Sequence, residues 1–156
     1  MHENSLTPIR TVRFVIPSLV VLLVLIILSY TLPFYSYTYF FLGKTMTYLE
    51  IGKANSQIMI PIIGNVVAFI FMLISLLFML FLSKNKVGIF VAKLLTLIAA
   101  FIFFALFIVA VCRLWVIPFE FDYSAVQDLL IGYIIYLFAT FFGGVLGCYM
   151  LALHEK

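Results

Sequence analysis

Charge is what this chain has least of. Asp, Glu, Lys and Arg make up 10% of its 156 residues, and residues 14–43, 54–83, 94–112 and 129–153 contain none. A soluble domain of this length would carry charge on its exposed faces, so the composition excludes a water-facing globule and leaves lipid as the solvent. Histidine is confined to His2 and His154, in the tails, so no imidazole stands inside an apolar run to hold a haem. Neither histidine has the cysteine and carboxylate company of a zinc site. Of the two cysteines, Cys112 falls at one end of an apolar run and Cys148 near the opposite face of the membrane. A disulfide needs Cα atoms within about 7 Å, so these two cannot bridge within one chain and read as small packing residues. The absence of a Cys-x-x-Cys pair disfavours thiol redox chemistry.

The same scarcity bears on function. No Asp, Glu, His or Arg falls deep in an apolar run, which disfavours proton-coupled or cation-coupled pumping. The hydroxyls Ser29, Ser75, Thr96 and Thr140 have no base or carboxylate in sequence reach, so an intramembrane nucleophile is not expected. Lys and Arg, nine in all, are scattered rather than grouped, which disfavours nucleic acid as a partner. No cofactor or metal is expected.

What the chain has is hydrocarbon. Residues of hydrophobic type make up 67% of it, with 18 Phe. Apolar runs at about Phe14–Leu32, Ile58–Leu82, Ile89–Cys112 and Leu129–Leu151 are each long enough to cross roughly 30 Å as a helix. The predicted fold is an all-α membrane protein, one four-transmembrane-helix bundle over residues 1–156, with helices at about 14–32, 58–82, 89–112 and 125–151. Arg10 and Arg13 precede a first run too long for a secretory signal, which therefore reads as a retained anchor. Pro33 stops the first helix, Asn55 or Ser56 can cap the second, and Ser124-Ala125-Val126-Gln127 has capping-box form ahead of the fourth. Four spans place both termini and the Ser83-Lys84-Asn85-Lys86 turn on one side, with Arg10, Arg13, Lys84, Lys86, Lys93 and Lys156, against Lys44, Lys53 and Arg113 on the other. The excess of positive charge assigns the termini to the cytoplasm of a cell-membrane, multi-pass protein and sends loops 33–57 and 113–124 outward.

The outward loops hold the distinctive residues. Phe34-Tyr35-Ser36-Tyr37-Thr38-Tyr39-Phe40-Phe41, the interruption Leu42-Gly43-Lys44, and the β-formers of 45–51 read as a hairpin. The alternative is an interfacial aromatic belt with a short helical turn begun by Thr47 and Glu50. In the second loop Pro118, Glu120 and Asp122 alternate with Phe119, Phe121 and Tyr123, the pattern of a third strand. Arg113 would pair with Glu50, Glu120 or Asp122. These residues either solvate the loops or form a recognition surface of Tyr37, Tyr39, Tyr48, Glu50, Arg113, Trp115, Glu120 and Asp122. Four helices with such a sheet resemble the claudin-like tetraspan plan in architecture, although residues 34–57 contain neither the Trp nor the Cys of that family's first-loop signature.

Two features lie within the spans. Ala139, Gly143 and Gly147, flanked by Thr140, Gly144 and Cys148, form a small-residue groove on the fourth helix. It would admit either the Ala92, Thr96, Ala99 and Ala100 stripe of the third helix or a helix of a partner. Asn65, behind Pro61 and Gly64, is the most interior amide and would form a helix–helix hydrogen bond or line a ligand or ion site. The expected function is that of a non-catalytic subunit, scaffold or assembly factor, partnered by another membrane protein or a second copy. A small transporter, channel or lipid-binding protein using Asn65 is the alternative, and a membrane enzyme using the outward acids the third reading. A cytoplasmic reporter fused after Lys156 should be active and one placed near Lys44 silent; the reverse pattern would invert the topology.

Overall fold

In hydrocarbon a backbone N–H or C=O finds no water and must bond within its own segment, so an apolar run that crosses a bilayer becomes a helix. The computed structural model describes residues 7–39, 42–54, 59–82, 85–112 and 126–153. Among these, four helices are long and apolar enough to span a membrane. In chain order the elements are α1 (Thr7–Thr31), β1 (Pro33–Tyr39), β2 (Leu42–Thr47), α2 (Tyr48–Ala54), α3 (Met59–Phe81), α4 (Lys86–Val111), β3 (Val126–Leu129) and α5 (Ile131–Leu153). The spans are carried by α1, α3, α4 and α5. The caps expected at Asn55 or Ser56, the strand expected at 118–123, Arg113, Trp115, His2 and His154 lie outside the described residues.

The helices pack in the order α3, α4, α5, α1, and α1 meets α3 sparingly. A tight link joins α3 to α4: the Asn85 N–H donates to the Leu82 carbonyl at 2.9 Å, and the Asn85 side chain accepts from the Val87 N–H at 3.0 Å. That second bond satisfies one of the free donors at the start of α4. Between these two helices Ser75 Oγ donates to the Ala92 carbonyl at 2.9 Å and lies 2.6 Å from Thr96 Oγ1, so the buried hydroxyls find partners inside the bundle. Helix α1 buries Val15, Leu19, Leu22, Ile26 and Tyr30, a single stripe at three- and four-residue spacing that faces α5. Phe14, Val20, Val24 and Ile27 face outward from it, as lipid requires.

The small-residue groove of α5 is filled by α4. A Cβ at Gly143 would stand 2.8 Å from the Phe103 ring, one at Gly144 2.8 Å from the Phe104 ring, and one at Gly147 2.7 Å from the Ala100 Cβ. Ala139, Gly143, Gly144 and Gly147 are all buried. Of the two occupants expected for this groove, the helix seated in it within the chain is α4.

Two boundaries also differ from expectation. The last helix starts at Ile131, not near Ala125, and Val126–Leu129 is a strand instead. The sheet order is β2-β1-β3, with β1 antiparallel to both neighbours; Tyr37 pairs with Lys44 on one side and with Gln127 on the other. As the first turn of a helix, residues 126–129 would leave their N–H groups unpaired. Along β1 they gain a ladder, which the Leu130 N–H extends by donating to the Phe34 carbonyl at 2.9 Å. The second difference is that β2 stops at Thr47. The Thr47 N–H donates to Glu50 Oε2 at 2.8 Å and the Glu50 N–H donates to Thr47 Oγ1 at 3.3 Å, a reciprocal capping box that opens α2. Hairpin and helical turn, alternatives in the sequence, thus follow one another in the structure.

Because the α4–α5 seam has no room for a side chain, Gly147→Val should destabilise the isolated chain by about 1–3 kcal/mol. The exposed Ala152→Val should be neutral. Denaturing-detergent titration followed by helical circular dichroism, with no partner present, measures both.

Candidate functional site

Beneath the sheet, six side chains from five elements meet in one cluster. Tyr30 comes from the last turn of α1, Phe34 from β1, Tyr48 from the first position of α2, Asn65 from the second turn of α3, and Tyr133 and Tyr136 from the first turns of α5. All six are buried, Asn65 at 0% exposure. Local sequence accounts for each placement. Pro33 ends α1 just past Tyr30, so the chain turns within two residues and Phe34 enters the bundle end. The Thr47–Glu50 box fixes the start of α2, which sets Tyr48 facing inward. Gly132 lets the start of α5 come against the Leu32–Pro33 link, where a Cβ would meet the Pro33 carbonyl at 2.7 Å.

The rings pack on one another. Phe34 stands edge-on to Tyr48 at a centroid distance of 4.5 Å and perpendicular to Tyr133 at 5.6 Å. Tyr48 stacks on Tyr136 at 5.8 Å with 8° between planes, and Tyr30 lies 5.5 Å from Tyr48 and 6.3 Å from Tyr136. Edge-to-face and offset pairs of this kind contribute about 0.5–1.5 kcal/mol each beyond burial. Tyr133 donates its hydroxyl to the Ala110 carbonyl at 2.8 Å, binding a last-turn carbonyl of α4 to α5. Asn65 Nδ2 donates to the Tyr30 hydroxyl at 2.6 Å, a bond across the thinly packed α1–α3 flank. Asn65 Oδ1 has no hydrogen-bond partner among the described residues.

The cluster is uncharged. Burial pushes the Tyr48 phenol above its ordinary range, with the neighbouring Tyr30 adding to the effect, so at neutral pH it stays a protonated donor. Four phenols and one amide can accept and donate hydrogen bonds, and the five rings fill the space between them; they hold no group that titrates near pH 7. Among the described residues no three metal-ligating side chains gather.

The expected site residues distribute as follows. Tyr48 is corrected from the recognition surface to the interior, where the capping box and Phe34 hold it. Glu50 is exposed and serves as the box carboxylate. Tyr37 and Tyr39 sit on β1, the central strand, where their backbones are described. Arg113, Trp115, Glu120 and Asp122 lie outside the described residues. Sequence reasoning missed Tyr30, Phe34, Tyr133 and Tyr136. A signal existed: the buried row Gly147, Gly143 and Ala139 continues at three- and four-residue spacing through Tyr136 to Tyr133, so the row that marks the seam also points at the cluster.

No family model, curated protein or solved structure matches the chain, and the likeness to the claudin-like plan rests on element order alone.

Tyr30→Phe removes the acceptor of the α1–α3 hydrogen bond and should lower stability by about 1 kcal/mol, read from denaturing-detergent midpoints. Tyr48 adds a pH dependence. Its folded pKa is raised, so its share of the stability is whole below the free phenol value of about 10 and is lost as pH climbs from there towards the folded value. Melting temperatures should hold from pH 7 to about 9 and fall above about 10, and Tyr48→Phe should reduce the fall.

Proposed function

We propose that the chain is a non-catalytic component of a membrane assembly, a subunit, scaffold or assembly factor that meets another membrane protein or a second copy at its sheet-bearing end. The observation that carries this reading is the pinning of that end. A hairpin in water is marginal, and three short strands are little better, yet here β1, α2 and the start of α5 are all anchored by the one aromatic cluster. Such anchoring gives a surface a fixed orientation, which a loop serving only to connect spans does not need, and binding to a preformed surface avoids the cost of ordering it. The charge distribution of the loops supports placing this end outside and both termini in the cytoplasm of the cell membrane. The small-residue groove takes no part in this contact, since α4 occupies it.

The second reading, a small transporter, channel or lipid-binding protein, is favoured by one observation, the unpaired Asn65 Oδ1. Conduction through the bundle has to contend with Ala68, Met72 and Phe103, buried and apolar, which lie between Asn65 and the Ser75–Thr96 pair. An enzyme using Glu120 and Asp122 is the third.

A photo-crosslinker at the exposed Thr45 on β2 should trap one stoichiometric partner in membranes, while one at the exposed Phe90, towards the other end of α4, should not. Mass measurement after mild solubilisation would then give a complex or an oligomer. Recovery of a lone monomer, with no adduct at Thr45, would eliminate the subunit reading.

A further inference from the structure

Lys93 is the one charged residue that any of the four spans carries beyond its first position. It follows Lys86, the first residue of α4, by two turns, which sets its Cα about 10 Å past the helix start, and it is half-buried. An ammonium at that depth is costly unless an anion stands beside it. The described residues supply none: their acids, Glu50 and Asp128, both sit at the sheet end. Glu3 and Glu155 lie outside the described residues.

Placement on the helix says where the anion is. Lys86, Phe90, Lys93, Leu97 and Phe101 recur at three- and four-residue spacing along one face of α4. Phe90, Leu97 and Phe101 are each more than half exposed, and Lys86 is exposed as well. The opposite face, with Ala92, Thr96 and Ala99, is buried in the bundle. Lys93 thus lies on the stripe that meets lipid. Side chains of an α-helix lean toward its N-terminus, so Lys93 leans back toward Lys86 and the membrane surface. Its methylenes stay in hydrocarbon while its ammonium reaches headgroup level.

Two ammonium groups therefore converge at one depth, with an exposed ring between their stems. A phosphate arrives there with the lipid itself. A choline headgroup brings its own cation and is neutral overall, whereas a headgroup of net negative charge complements both lysines.

We propose that Lys86 and Lys93, on either side of Phe90, hold the phosphate of an anionic phospholipid in the leaflet at the α3–α4 turn. The site is at the opposite end of the bundle from the sheet and does not depend on what the sheet end meets.

The test uses the full chain reconstituted in bilayers, carrying Trp115→Phe, which removes the single tryptophan, and Phe90→Trp as reporter. Fluorescence quenching by brominated-chain phosphatidylglycerol among plain phosphatidylcholine, and by the reverse labelling, reads the relative affinity of the two lipids at that position. Phosphatidylglycerol should be preferred about fivefold or more, and less as salt rises. A Leu77→Trp reporter, exposed on α3 at the matching depth, should show less than half that preference. Lys93→Gln should cut the preference at position 90 to below half, and Lys93→Arg should keep it. Equal affinity for the two lipids at position 90 overturns the proposal, as does a preference at position 77 of half that value or more. So does a preference that Lys93→Gln leaves at half or more. If Lys93→Gln does not fold, Lys86→Gln decides on the same terms.

Discussion

A lipid tail packs against leucine about as well as another leucine does, so helices in a bilayer gain little from hydrophobicity when they associate. They gain from close approach, where backbones and rings make dispersion contacts that mobile tails cannot match. Helices α4 and α5 meet in this way, with Gly143 against the Phe103 ring and Gly147 against Ala100. That approach fixes the rotation of α5, because no other face of the helix could come as near. With the rotation fixed, Tyr133 reaches the Ala110 carbonyl and Tyr136 points to the bundle interior, where Tyr48 stacks on it.

The sheet depends on this in turn. Phe34 lies against Tyr133, Tyr136 and Tyr48, so β1 is held by the ends of the helices rather than by its own ladder alone. Once β1 is held, its second edge is available to the chain arriving at α5. Val126–Leu129 pairs there, and α5 begins only after the ladder ends. A helix–helix contact deep in the bundle thus determines how much of the chain outside it becomes strand. Few of the buried polar groups remain for chemistry: Ser75, Thr96, Thr140 and Tyr133 are taken up by backbone carbonyls or by one another. Asn65 differs in keeping one oxygen unpaired.

Helix α1 is attached differently. It rests on α5 along one stripe and touches α3 little, with the Asn65–Tyr30 bond reaching across.

The sequence by itself determined the four spans. Their ends follow from apolar length against a fixed hydrocarbon thickness, and from Pro33 as a local stop signal, which acts within a few residues and needs no tertiary partner. The hairpin was legible for the same reason, since alternation and the Leu42-Gly43-Lys44 interruption are local. Tertiary structure decided the rest. Val126 and Gln127 close the capping-box pattern read at 124–127, which points to a helix start, and only the nearness of β1 makes Val126–Leu129 a strand. Tyr48 reads as a loop aromatic until Phe34 and Tyr136 are known to stand beside it. The small-residue row of α5 states that something packs closely, and the structure shows α4 against it. Asn65 could be recognised as an interior amide, but its two halves, one bonded and one unpaired, are set by a tyrosine 35 residues away in sequence. Local pattern encodes which segments leave water; which side chains then meet depends on rotations and approaches fixed by contacts far apart along the chain.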